Sequence, residues 1–340
     1  MPRAQTRSPT QSAAPRMWGV TGPIGTPSLI LSQFLQPGKR TAMNDQDRKE
    51  KRLQRKAVRL VKDAREAEER ARTGPIIHLV IGPKGGIGKS TLARLLIDKH
   101  RLTGGGVRIV QVDRTALLPR LYADLVSVVH LPGTEEMRSD PLAAMTAMEP
   151  LSAAIDASLA DGVPVVVDVG GGPSAAATVE YIGKARLDAH LRNNGVQVVV
   201  WLVFVADFAA MGQSAALGKA LAIACPSAEI VAVLNERSGR FKFFPGSSSD
   251  DVWREAVAPF LEGRRILQMP AAAAGALVPF EQLGMTFVDI INADDTDIAQ
   301  RLNVSRAIAA VLQGDVASWL EIMWGGIEAL ATADQGGHDA

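Results

Sequence analysis

At 340 residues with 47% hydrophobic content, the chain is long enough for one large α/β domain with extensions, or for two modest domains. Its single cysteine, Cys225, excludes an intrachain disulfide framework and a cysteine-rich metal site and fits a reducing cytoplasm; its five histidines form no ligand spacing. The net charge of +1 hides an asymmetry: residues 1–75 carry 16 Lys and Arg against 7 Asp and Glu, residues 76–340 carry 21 against 29, and the two parts are suited to different partners.

Residues 1–43 are rich in Pro, Ser, Thr, Gln and Gly and are expected to be a disordered tail. Its apolar patch, Ser28 to Leu35, is too short and too far from the terminus for a signal sequence. Met43, directly before a charged stretch, is a candidate start of the natural chain. Residues 44–75 read as a charged helical arm, free of internal Gly and Pro as far as Arg72 and closed by Thr73-Gly74-Pro75. Leu53, Ala57, Leu60, Ala64, Ala67 and Ala71 form a heptad-like seam, weak because it is mostly alanine. Residues 44–72 carry 11 basic against 7 acidic residues. That charge suits non-specific DNA binding by counterion release, but Asp63, Glu66, Glu68 and Glu69 confine the basic face to the first half, and pairing with a partner protein is equally open.

From Ile76 the character changes. Ile76 to Ile81 is an apolar run that reads as a buried strand, Gly82 to Gly88 is a glycine-rich turn, and Leu92 to Ile97 has helical periodicity. Gly85, Gly86 and Gly88, with Ile87 between them, allow successive backbone N–H groups to converge on a β-phosphate at a helix N-terminus. Lys89 supplies a point charge to the β- and γ-phosphates, the Ser90 hydroxyl is placed to ligate Mg²⁺, and Thr91 completes the motif in the first helical turn.

Lys84 lies inside the loop, five positions before Lys89. The run Lys84-Gly85-Gly86-Ile87-Gly88-Lys89-Ser90-Thr91 resembles the deviant Walker A box of the ParA/MinD family of ATPases. The resemblance implies that Lys84 reaches across an ATP-dependent homodimer to the partner's phosphates, so that Lys84 is catalytic alongside Lys89.

The second predicted strand, Val107 to Val112, leads to Asp113, where an open parallel sheet binds its ligand. In the family this strand ends Asp-x-Asp and the second carboxylate orients the attacking water. Asp113 is 24 residues beyond Lys89, which suits the second carboxylate with Gln111 in place of the first. Alternatively Asp113 is the first and Thr115 replaces the second, which implies a slow hydrolase. Residues 117–150 are helix and loop material punctuated by prolines, and Leu151 to Ala160 is a helix.

Val163 to Val167 is a strand closed by Asp168, the Walker B arrangement in which a carboxylate helps to hold Mg²⁺; the glycines at 170–172 are placed to act as a γ-phosphate switch. Further strands are expected at 197–205, 229–235 and 264–270, with an alanine-rich helix at 208–224. Asn235 stands where the family reads the adenine edge, although a turn role is nearly as good a reading. Residues 299–331 are largely helical, with Trp319, Met323 and Trp324 on an apolar stripe. Nearby Asp315, Glu321 and Glu328 oppose an anionic membrane surface, so the stripe reads as core or dimer surface and no membrane binding is expected.

The order of elements predicts an α/β fold with a doubly wound, mostly parallel sheet and helices on both faces, a P-loop ATPase domain over residues 76–335. The resemblance implies a cytoplasmic, Mg²⁺-dependent ATPase that assembles as a dimer on ATP, is released by hydrolysis, answers to an activating partner protein and serves plasmid or chromosome partition or DNA mobilisation. Two other readings remain: a metabolic ligase or kinase of the dethiobiotin-synthetase kind, with Arg114 or Arg120 as substrate anchor, and a partner-binding module with a vestigial ATP site.

Overall fold

The structure is a computed structural model that describes residues 74–333 apart from 114–116, 141 and 274. The tail, most of the charged arm, Met43, Arg114 and Thr115 lie outside the described residues.

The chain runs β1 (Ile76–Ile81), α1 (Lys89–Leu102), β2 (Arg108–Val112), α2 (Leu117–Tyr122), β3 (Val126–Val128), α3 (Thr134–Ser139), α4 (Ala143–Ala147), α5 (Glu149–Asp161) and β4 (Val165–Val169). It continues through α6 (Pro173–Lys184), α7 (Leu187–Asn193), β5 (Gln197–Val205), α8 (Phe208–Ala224), β6 (Glu229–Asn235), α9 (Ser248–Val252), α10 (Ala258–Leu261) and β7 (Ile266–Met269). It ends with α11 (Leu277–Gln282), α12 (Phe287–Asn292), α13 (Asp295–Leu302) and α14 (Arg306–Ala333). The seven strands form one sheet in the order β3-β2-β4-β1-β5-β6-β7, and every pair is parallel. The doubly wound α/β fold expected from the order of elements is the fold observed.

Strict alternation along the strands separates two cores. In β5, Val199, Trp201, Val203 and Val205 join one core with α1 and the C-terminal helices, while Val198, Val200, Leu202 and Phe204 join the other with α5, α6 and α8. Burial on both faces explains why these strands read as continuous apolar runs. Edge strand β3 escaped the sequence reading because Val126-Ser127-Val128 is too short to show a period. Strand β4 extends two residues beyond its expected end, so Asp168 lies within it. The C-terminal helical stretch is broken between Leu302 and Arg306, with Asn303 in the left-handed conformation. The aromatic stripe of α14 is core: Trp319 and Met323 are buried, and the indole N–H groups of Trp319 and Trp324 donate to Pro270 O at 2.8 Å and Leu95 O at 3.0 Å. Among the described residues no helix is long and apolar enough to cross a membrane.

Helix α1, which follows the glycine-rich loop, is clamped along its length. Leu92, Leu95, Leu96 and Ile97 are fully buried, each contributing about 2 kcal/mol. Behind them, buried Arg94 donates to Glu281 Oε1 at 2.6 Å and Asp98 Oδ2 accepts from Phe287 N at 2.7 Å, tying the helix to α11 and α12. On the α1 face of the sheet, Trp201 Nε1–H donates to His78 Nδ1 at 3.1 Å. That bond fixes the neutral His78 tautomer with its proton on Nε2, which then donates to His100 Nε2, also at 3.1 Å.

Burial, reinforced by His100, pushes His78 down from 6.5 to about 3. The unfolded chain therefore takes up a proton below pH 6.5 that the folded chain refuses until about pH 3, so this stability is present above pH 6.5 and is lost as the pH falls, at about 1.4 kcal/mol per pH unit. Between pH 6.5 and 4.5, urea unfolding of wild type should lose about 2–3 kcal/mol more than that of His78→Leu. Equal losses would show that His78 titrates normally.

Candidate functional site

The loop after β1 turns on Gly86 and Gly88, which have φ of +73° and +94°. Gly88 is required twice over: its φ is left-handed, and a Cβ there would collide with the Asn235 side-chain nitrogen. Lys89, 6% exposed, folds back so that Nζ donates to Lys84 O at 2.6 Å. Burial lowers its pKa, opposed by the charges of Asp168 and Asp113. Ser90 Oγ donates to Asp168 Oδ2 at 2.7 Å, joining the first turn of α1 to β4. Asp168 is 1% exposed and its Oδ1 has no hydrogen-bond partner among the described residues. Burial raises its pKa to about 6; the Ser90 hydrogen bond and Lys89 oppose the rise and Asp113 adds to it.

The sequence-predicted residues thus converge at the C-terminal ends of β1, β2 and β4. Asp113 leaves the end of β2 with its carboxyl against Gly170, close enough to Lys89 and Asp168 to act on both electrostatically. Gly85 is exposed, Ile87 is buried, and Thr91 is half-buried in the first turn of α1. The loop after β4 rests on the phosphate loop, with Gly172 N donating to Pro83 O at 2.7 Å. Gly171 permits this approach because a Cβ there would collide with the Lys84–Gly85 peptide. Asn235 is also brought to the site, but its amide is engaged locally: Nδ2 donates to Ile87 O at 2.9 Å and Oδ1 accepts from Arg237 N at 3.0 Å.

Two residues of the site were missed in the sequence. Asp207 accepts from Lys84 Nζ at 2.9 Å and from Ala210 N at 2.8 Å, so one carboxylate caps α8 and holds the extra loop lysine. The hydrogen bond from Lys84, helped by the Ala210 N–H, lowers its pKa. An Asp directly before an alanine-rich helix is a capping signal, but nothing in the sequence links it to Lys84. Arg237 donates to Gly86 O at 2.6 Å and braces the loop from the far side.

Among the described residues no group of three or more His, Cys, Asp and Glu comes together as a metal site. The hydroxyl of Ser90, and the Asp168 oxygen that has no partner among the described residues, are hard oxygen groups that fit a small divalent cation, held directly or through its waters, with phosphate oxygens in its remaining positions. The glycine-rich turn at the α1 N-terminus, with a buried lysine beside it, fits an anion.

No family model and no curated protein matches the chain. Solved structures similar to it include the MinD cell division protein of Aquifex aeolicus, 14% identical over 71% of this chain and 97% of that one, with a TM-score of 0.37. A nucleotide-binding protein of Archaeoglobus fulgidus in complex with ADP is 16% identical over 66% of this chain and 92% of that one, with a TM-score of 0.35. An McdA variant of Cyanothece in complex with ATP is 12% identical over 68% of this chain and 97% of that one, with a TM-score of 0.37.

Proposed function

We propose that this chain is a Mg²⁺-dependent ATPase of the ParA/MinD kind that works as an ATP-gated dimerisation switch. The observation that carries the reading is the separation of the two loop lysines. Lys89 is buried inside the loop, whereas the Lys84 side chain, 42% exposed, is held at the rim by Asp207. A nucleotide seated in the loop would meet Lys89 directly, while Lys84 is presented outward, where the phosphates of a second copy would meet it.

In this reading the backbone N–H groups of residues 85–90 and Lys89 bind the phosphates, Lys89 turning from Lys84 O to the β- and γ-phosphate oxygens. A bound Mg²⁺ ion would neutralise charge on those oxygens, with Ser90 as its direct protein donor and Asp168 holding it through a bound water. Asp113 orients the attacking water. The 170–172 loop, already against the phosphate loop, reports the γ-phosphate through its backbone. Asn235 has one N–H and one lone pair left for the adenine edge.

The extended reading is partition or mobilisation of DNA, with an activating partner protein and the basic arm as a non-specific DNA contact, which rests on the charge of residues 44–72 alone. A vestigial site is disfavoured because Asp168, buried with one oxygen without a partner among the described residues, costs the fold energy that a site without a ligand would shed. For the ligase reading, Arg120 is exposed on α2 and nothing places it as a substrate anchor.

The test is size-exclusion chromatography with ADP and with a slowly hydrolysed ATP analogue. Wild type should dimerise with the analogue alone. Lys84→Ala should remain monomeric while its affinity for ADP changes by less than about fivefold, because an exposed ion pair is worth about 1 kcal/mol at most. A Lys84→Ala protein that still dimerises would reduce Lys84 to a loop lysine.

A further inference from the structure

Three of the five buried side-chain atoms without a hydrogen-bond partner among the described residues lie on two neighbouring residues: Oε1 and Nε2 of Gln111, and Oδ1 of Asp168. Gln111 is 0% exposed. Strands β2 and β4 run parallel with Gln111 and Asp168 as Cα partners. Ile109 belongs to the core on the α1 face and Val110 and Val112 to the core on the other face, so the alternation turns Gln111 toward α1. Asp168 turns the same way, as its bond from Ser90 requires. Partners on adjacent strands are about 4.8 Å apart, so the amide and the carboxylate project side by side beside the first turn of α1.

An amide buried without partners costs about 1–3 kcal/mol, and an apolar side chain of the same shape would spare the fold that cost. The amide is explained if it has a ligand. Ser90 already donates to one oxygen of Asp168, which leaves Gln111 Oε1 and Asp168 Oδ1 as two acceptors on one flank of the site. Two acceptors take a species with two O–H donors, and a water polarised by a divalent cation is the strongest such donor.

We propose that Gln111 is a positioning residue for the metal ion: its Oε1 accepts one proton of a metal-bound water whose other proton is donated to Asp168 Oδ1. The inference rests on the Mg²⁺–nucleotide reading above. With too few protein ligands for a closed cage, the ion is held through its hydration shell, and the neutral amide steadies that shell without adding a third carboxylate to Asp113 and Asp168.

The test uses the full chain, saturating ADP and Mn²⁺ as probe, with free Mn²⁺ followed by electron paramagnetic resonance. Gln111→Met removes both polar atoms at near-constant length, Gln111→Asn withdraws the amide by one methylene, and Gln111→Glu restores an acceptor. The Mn²⁺ dissociation constant should rise about tenfold in the Met and Asn variants and stay at or below the wild-type value in the Glu variant. ADP affinity in excess chelator should be unchanged in all three. The melting temperature of ligand-free Gln111→Met should equal or exceed that of wild type, because an unpaired buried amide has been removed.

Wild-type Mn²⁺ affinity in the Met or Asn variant would overturn the proposal and make Gln111 a core residue. If Gln111→Met does not fold, the Asn variant decides. Wild type that binds ADP but no Mn²⁺ overturns the metal reading and this inference with it, and wild type that binds no ADP overturns the nucleotide reading itself.

Discussion

Lys89→Ala is expected to weaken nucleotide binding about 10²–10³-fold, or about 3–4 kcal/mol, because it removes a desolvated ammonium from the β- and γ-phosphates. The lysine is already buried and points into the loop, bound to Lys84 O at 2.6 Å, so little ordering remains to offset its contribution. The same substitution should leave the melting temperature of the ligand-free protein within a few degrees. In the ligand-free site, burial of the ammonium opposes its attraction to Asp168 and Asp113. Calorimetric titration with ADP and with an ATP analogue measures the first effect and thermal unfolding the second. Unchanged affinity would sink the phosphate-loop reading, and a large drop in melting temperature would show that Lys89 is chiefly structural.

Asp113→Ala is expected to slow hydrolysis about 10²–10⁴-fold, the usual contribution of a positioned acid or base. Nucleotide affinity should hold within a few fold, and the ATP-bound dimer should persist. The carboxyl lies at the end of β2 against Gly170, within electrostatic reach of both Lys89 and Asp168. In the proposed function a group at that place faces the γ-phosphate end of the nucleotide. Single-turnover phosphate release separates this role from binding. If the rate of release is unchanged, Asp113 is a structural partner of the loops and another residue must orient the water.

The phosphate loop was legible in the sequence because its chemistry is contiguous. One strand, one glycine-rich turn and one helix carry the anion cradle, Lys89 and Ser90 within residues 76–97, and local backbone geometry assembles them. The parallel sheet was legible for a related reason: strands buried on both faces are apolar along most of their length, and β1, β2, β4, β5 and β6 all are, with His78, Gln111, Asp168 and Asn235 as their buried polar residues. Asp113 and Asp168 could be placed as strand-end carboxylates, but not as neighbours of one another, since 55 residues separate them.

What the sequence did not contain is which distant side chains meet. Lys84 and Asp207 are 123 residues apart, and only the adjacency of β1 and β5 brings them to 2.9 Å. Asn235 reads nearly as well as a turn residue as a base reader, and only the fold shows that its Nδ2 holds Ile87 O while its Oδ1 caps the turn at Arg237 N. The stripe on α14 has the same composition whether it meets a membrane, a second copy or a core; packing against α1 and β7 decided for the core. Gln111 differs from an ordinary strand glutamine only through register, which buries its amide beside Asp168 with no hydrogen-bond partner among the described residues. The sequence by itself determined the loop and every strand but the short edge strand β3, because propensity and hydrophobic period act over a few residues. The tertiary structure alone decided the pairings that make the loop a site, because they depend on strand order, which no local signal encodes.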